Sequence, residues 1–258
     1  MPRSSTVRAS LAAVLTAAAV MACATSPTGR TQLRLVSDAE MAQMGTAAFQ
    51  QLKQKTPPAK NPQINNYVQC VARAITREVG GSWEVQVFDS KDINAFALPG
   101  GKIGVYTGLL KVTENQDQLA AVIGHEVAHV LAGHSAARVS NEMAAQLGVA
   151  VLSSATGMSG DMIGMGANLL LLLPYSRGDE TEADILGQRL MASAGFDPAA
   201  APRLWVNMSK ASGGGPPEFI STHPSPDSRI RDLNNNLPQV QPVYQQARSA
   251  GKRPSCAA

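Results

Sequence analysis

The chain has 258 residues, 44% hydrophobic and 16% charged, enough to bury one sizeable core or two small ones and too apolar for intrinsic disorder. A net charge of +3 and 4% aromatic residues provide neither the cationic surface nor the stacking platforms of a nucleic-acid binder. Three cysteines are too few for a disulfide scaffold, whereas three of only four histidines, His125, His129 and His134, fall within ten residues.

Residues 1–22 hold Arg3 and Arg8, no acid, and the apolar run Leu11 to Ala22, too short to span a bilayer and suited to a signal peptide. The run ends Val20-Met21-Ala22-Cys23, which resembles a bacterial lipobox, so Cys23 is the expected lipidation site and the membrane anchor. Ala24 stands where an aspartate would signal inner-membrane retention. The expected location is therefore the periplasmic face of a bacterial envelope, at the outer membrane. With Cys23 acylated, Cys70 and Cys256 are an even pair in an oxidising compartment, open to a disulfide or to two separate thiols.

A tether over 23–36 precedes a helix that Ser37 and Glu40 would cap and that runs to about Lys55. A second helix, from about Pro62 to Val79, carries Ile64, Val68, Val71 and Ile75 at helical spacing. Short strands are expected over 83–88, 93–98 and 102–106, forming a small mixed sheet. Everything from Glu114 to about 236 reads as helical, over 114–134, 140–157, 160–173, 179–194, 198–211 and 226–236. The apolar stretch 162–173 stops at Pro174 and is expected to be a buried helix. Residues 238–258, rich in Pro and Gln, read as an extended tail, leaving 37–237 as one α+β, mostly helical domain.

His125-Glu126-Val127-Ala128-His129 is H-E-x-x-H within a strongly helical pattern. Residues four apart on a helix differ by about 40° in direction, so both imidazoles share a face and can bind one zinc ion, with Glu126 alongside. His134 is five residues beyond His129, about 140° around the helix, which suits a capping or supporting role better than ligation. A carboxylate is the usual third ligand, and Ser176 to Asp184 is dense in acids at a helix start. Glu180 and Asp184 share a face there, whereas Glu182 lies about 200° from Glu180. Acids at a helix N-terminus can also serve only the helix dipole.

Three ordered segments, IGHEVAHV at 123–130, SRGDETEAD at 176–184 and THPSPDSR at 222–229, resemble metallopeptidase family forty-eight, and the resemblance spans about residues 35–237. The family includes CAAX prenyl proteases, HtpX-like, OMA-type and BepA/LoiP-like enzymes. The resemblance implies a gluzincin-type core with a three-stranded sheet beside the active-site helix. It implies one Zn2+ per chain held by His125, His129 and Glu180, with Glu126 as general base and Asp184 orienting an imidazole. It also implies that His223 lies near the metal as a latch or transition-state aid, and that Arg229 offers charge to the oxyanion or forms an ion pair. Asn94, Ala95, Phe96 and Ala97 match the family's strand beside the site, which would pair with an extended substrate. The absence of flanking membrane helices and helical repeats points to a LoiP-like periplasmic lipoprotein.

The expected activity is zinc-dependent endoproteolysis of unfolded or misfolded envelope proteins, by a zinc-activated water. The alternative is a zinc-containing periplasmic chaperone or assembly factor with a latched site. Nothing in the sequence sets the oligomeric state.

Overall fold

A computed structural model describes residues 23–156, 174–211, 218–223 and 226–257, so the expected signal peptide and the apolar stretch 162–173 lie outside the described residues. Among the described residues, no helix is long and apolar enough to cross a membrane. The fold is α+β and mostly helical, with a small sheet packed on the helix that carries the H-E-x-x-H segment.

The segment read as a tether instead forms an antiparallel hairpin, β1 (Cys23–Thr25) with β2 (Thr31–Leu33). Its five-residue loop closes through Ser26 N–H to Arg30 O at 2.8 Å, and Gly29 takes φ +91°. Its strands are only three residues long, too short to show an alternating pattern, and Thr28 and Arg30 of its loop are held by the distant Glu182.

Helix α1 (Asp38–Lys55) starts in a full capping box between Ser37 and Glu40 and buries Met41, Ala48 and Phe49. Helix α2 (Pro62–Arg77) has Asn61 as cap and Pro62 in its first turn, where a missing N–H costs nothing. Its Val68, Val71 and Ile75 face the main core. Strands β3 (Glu84–Phe88), β4 (Ala95–Leu98) and β5 (Lys102–Tyr106) form a mixed sheet in the order β3-β5-β4, with β3 parallel and β4 antiparallel to β5.

Helix α3 (Gln116–Leu131) is capped by Asn115 and is buried without a break from Gln118 to His129. That stretch has no solvent face because α2 and β4 cover one side, and α5 (Arg177–Ser193) and α6 (Ala200–Lys210) cover the other. Gly133, at φ +69°, turns the chain from α3 into α4 (His134–Thr156), one helix where a start near 140 was expected. The crossing of α3 and α5 depends on two glycines in backbone contact. A Cβ on Gly124 would lie 2.9 Å from Gly187 O, and one on Gly187 would lie 2.7 Å from His125 N.

A short helix, α7 (Glu218–Thr222), precedes α8 (Pro226–Ser249), which corrects the expected tail. The helix passes through Pro238 and Pro242 because Leu233, Val240 and Ala247 are buried seven residues apart and hold it to the domain. Glutamines dilute that stripe in the sequence. The last residues are pinned as well: Cys256 is disulfide-bonded to Cys70 of α2. Gln116 donates to Pro254 O at 3.0 Å and accepts from Cys256 N–H at 2.8 Å.

Candidate metal centre

The close crossing of α3 and α5 sets Glu180 beside the two imidazoles that α3 presents one turn apart. His125 Nε2 lies 3.0 Å from His129 Nε2 and 3.6 Å from Glu180 Oε2, and His129 Nε2 lies 3.4 Å from Glu180 Oε1. His223, in the turn after α7, completes a group of four buried residues whose donor atoms all lie within 4.8 Å of one another. Four donors at zinc bonding distance around a tetrahedral ion would stand about 3.3 Å apart, so these spacings fit a zinc ion.

The unmet polar atoms point the same way. Glu180 Oε1, His223 Nε2 and Glu126 Oε1 are buried and lack a hydrogen-bond partner among the described residues. Burial of such groups is costly unless a cation or a polar ligand joins them. Their ionisation suits a cation too. Burial pushes His223 down to about 3 and His129 well below the usual imidazole range, leaving both neutral. Glu180 stays ionised against its burial, held well below the usual carboxylate range by the Arg229 charge and by hydrogen bonds with both α3 imidazoles. Burial and Arg229 oppose a proton on His125, but Asp184 and Glu180 outweigh them and push it up to about 9. That proton occupies the place a cation would take.

Each imidazole is held from behind. His125 Nδ1 faces Asp184 Oδ1 at 3.0 Å. His223 Nδ1 lies 3.1 Å from Phe219 O and its ring stacks on Phe219, centroids 4.3 Å apart, so Nε2 turns inward. His129 Nδ1 lies 2.9 Å from His134 Nδ1, and its ring stacks on Tyr175, centroids 3.9 Å apart.

Glu126 is buried on the neighbouring face, its Oε1 3.5 Å from His223 Nε2. Burial, and then the charge of Glu180, push it up to about 7, with His125 opposing. Its carboxylate accepts a hydrogen bond from the backbone of Ala97. Strand β4 is thus the sheet edge next to Glu126, yet Asn94, Ala95, Phe96 and Ala97 are all buried rather than open to solvent, since α3 packs on the strand. The Phe96 ring sits among Phe49, Phe88 and Tyr106 in a second core cluster, away from the imidazoles.

Arg229 takes the ion-pair arrangement. Its Nε and Nη2 donate to Asp184 at 2.7 and 2.6 Å, and Nη1 lies 2.6 Å from Glu180 Oε2. The guanidinium is buried over the Trp205 ring, 3.6 Å from its centroid, and is committed to Asp184 behind His125 and to the ligand-group acid Glu180. Glu182, Tyr175, Trp205 and Phe219 also build this site and were not found in the sequence. In the sequence Glu182 is one acid among several at the start of α5, facing away from Glu180, and Trp205 is one of only two tryptophans. Cys23 is exposed at the start of β1.

Comparison with known proteins adds three relatives and a family. The model of peptidase family M48 matches residues 58–237. The chain is 42% identical over 180 residues to mitochondrial metalloendopeptidase OMA1 of Schizosaccharomyces pombe, which covers 68% of this chain and 53% of that protein. It is 34% identical over 237 residues to the OMA1 metalloendopeptidase of Danio rerio, covering 83% and 50%. It is 29% identical over 223 residues to the beta-barrel assembly-enhancing protease of Yersinia pestis, covering 80% and 45%. The chain spans about half the length of these curated relatives.

Proposed function

The chain belongs to peptidase family M48, and from that premise we propose that it is a zinc-dependent endopeptidase acting on unfolded or misfolded envelope proteins. The observation that carries this reading is the convergence of His125, His129, Glu180 and His223 with Glu126 alongside, all buried. In it, His125, His129 and Glu180 hold the zinc, and His223 closes the fourth position at rest. When bound, zinc would act as a Lewis acid on the scissile carbonyl and on the attacking water.

The chain's own groups do the rest. Glu126 takes a proton from the water as its oxygen bonds to the carbonyl carbon, then delivers that proton to the amide nitrogen as the C–N bond breaks. The Ala97 N–H orients Glu126 while the buried surroundings exclude bulk water. Asp184 fixes the His125 ring, and Arg229 neutralises Asp184 and the Oε2 side of Glu180. An extended substrate segment would lie along β4, and His223 would have to leave for it to enter.

Lipidation of Cys23, which is exposed at the first described residue, would hold the enzyme at the periplasmic face of the outer membrane. The test is Glu126→Gln measured for both zinc content and cleavage of an unfolded casein-type substrate. Retained zinc with cleavage lost supports the reading, and unchanged cleavage overturns it. Full function in cells with the variant would favour the chaperone reading instead.

A further inference from the structure

His129 differs from His125 in what stands behind it. His125 Nδ1 meets a carboxylate directly, whereas His129 Nδ1 meets a second imidazole, His134, at 2.9 Å. His134 in turn sets Nε2 3.2 Å from Glu182 Oε2. His134 and Glu182 are both buried.

Hydrogen-bond bookkeeping allows one arrangement along this row. A ligating Nε2 on His129 leaves its Nδ1 as the N–H, which donates to His134 Nδ1. His134 then carries its hydrogen on Nε2 and donates to Glu182. A carboxylate at the end fixes every tautomer in the row.

Glu182 is itself held by the amino-terminal hairpin. The Thr28 hydroxyl donates to its Oε1 at 2.7 Å, the Thr28 N–H at 3.2 Å, and Arg30 Nη1 to its Oε2 at 3.0 Å. Arg30 also pairs with Asp179 at 2.9 Å. Gly178 makes room for this, since a Cβ there would stand 2.9 Å from Arg30 Nη2.

We infer that the hairpin at 23–33, acting through Glu182 and His134, is the positioning element that fixes the tautomer and orientation in which His129 meets the metal. The inference rests on the metal-site reading above. It joins the segment that begins at Cys23 to the catalytic centre through one row of buried hydrogen bonds, so the hairpin is part of the site rather than a spacer.

The test measures zinc affinity of the full mature chain by competition with a chromophoric chelator, alongside the electronic spectrum of the cobalt-loaded protein. Glu182→Gln should weaken zinc by about 10- to 100-fold and alter the cobalt bands, because an amide cannot accept from all the donors around it. The remote double variant Thr28→Val with Arg30→Met should weaken zinc by at least about threefold with its apo melting transition retained. It carries the test if Glu182→Gln does not fold. Wild-type affinity and cobalt spectrum in the folded variants would overturn the inference while leaving the metal site standing. A wild-type chain that binds no zinc would overturn the metal-site reading and this inference with it.

Discussion

Replacing Gly187 by alanine sets local preference against packing. In a helix interior alanine is favoured over glycine by about 1 kcal/mol, so a local view expects Gly187→Ala to stabilise α5. The added Cβ would meet His125 N at 2.7 Å, His125 Cα at 2.8 Å and Gly124 C at 2.9 Å, all backbone atoms with no rotamer to relieve the contact. To restore ordinary contact the two helices must part by about 0.7 Å, an overpacking that costs about 1–3 kcal/mol. Set against the gain in propensity, the net loss is about 2 kcal/mol at the upper end, a fall of roughly 4–8 °C in melting temperature for a domain of this size. The same movement draws Glu180 away from His125 and His129, now 3.6 and 3.4 Å distant, so zinc affinity falls together with stability. Thermal melting with and without zinc, together with chelator competition, measures both. A variant that melts at or above the wild-type temperature with unchanged zinc affinity would refute the account of the helix crossing.

Arg229→Met leaves two buried acids, Asp184 and Glu180, with only imidazole partners and should cost about 3–5 kcal/mol in denaturant unfolding. Cys70→Ser should lower stability by about 2–5 kcal/mol and free the last residues to proteolysis, read by denaturant titration and limited digestion. Zinc binding at pH 7 should release roughly one proton, since His125, pushed up to about 9, is protonated without metal and must lose that proton to ligate. Calorimetry in buffers of differing ionisation enthalpy measures this, and the release should fade as pH rises past 9.

The parts of this site that could be read from the sequence are those written within single helices. His125, Glu126 and His129 share one turn of α3, and Glu180 and Asp184 one face of α5, so spacing and the family resemblance together were enough to gather them. For His134, spacing argues for a supporting role rather than ligation but does not say which ligand it supports. Helical geometry turns it away from the ligand face, yet the turn at Gly133 brings it back against His129 from outside α3. Glu182 faces away from Glu180 on α5, and that is the direction in which the hairpin lies. The hairpin and the helical end of the chain were missed for one physical reason. Each is held by distant partners, Glu182 for the hairpin and Cys70, Gln188 and Gln116 for the carboxyl-terminal region, that no local pattern displays.

One zinc ion held by His125, His129 and Glu180, with His223 able to leave the fourth position, is what would make the chain a protease. Metal analysis of the purified protein is therefore to be paired with cleavage of unfolded casein before chelation, after it, and after return of zinc. The expected result is one zinc per chain, cleavage lost with the metal and cleavage restored by one equivalent. Cleavage that persists in the fully metal-free protein would contradict it.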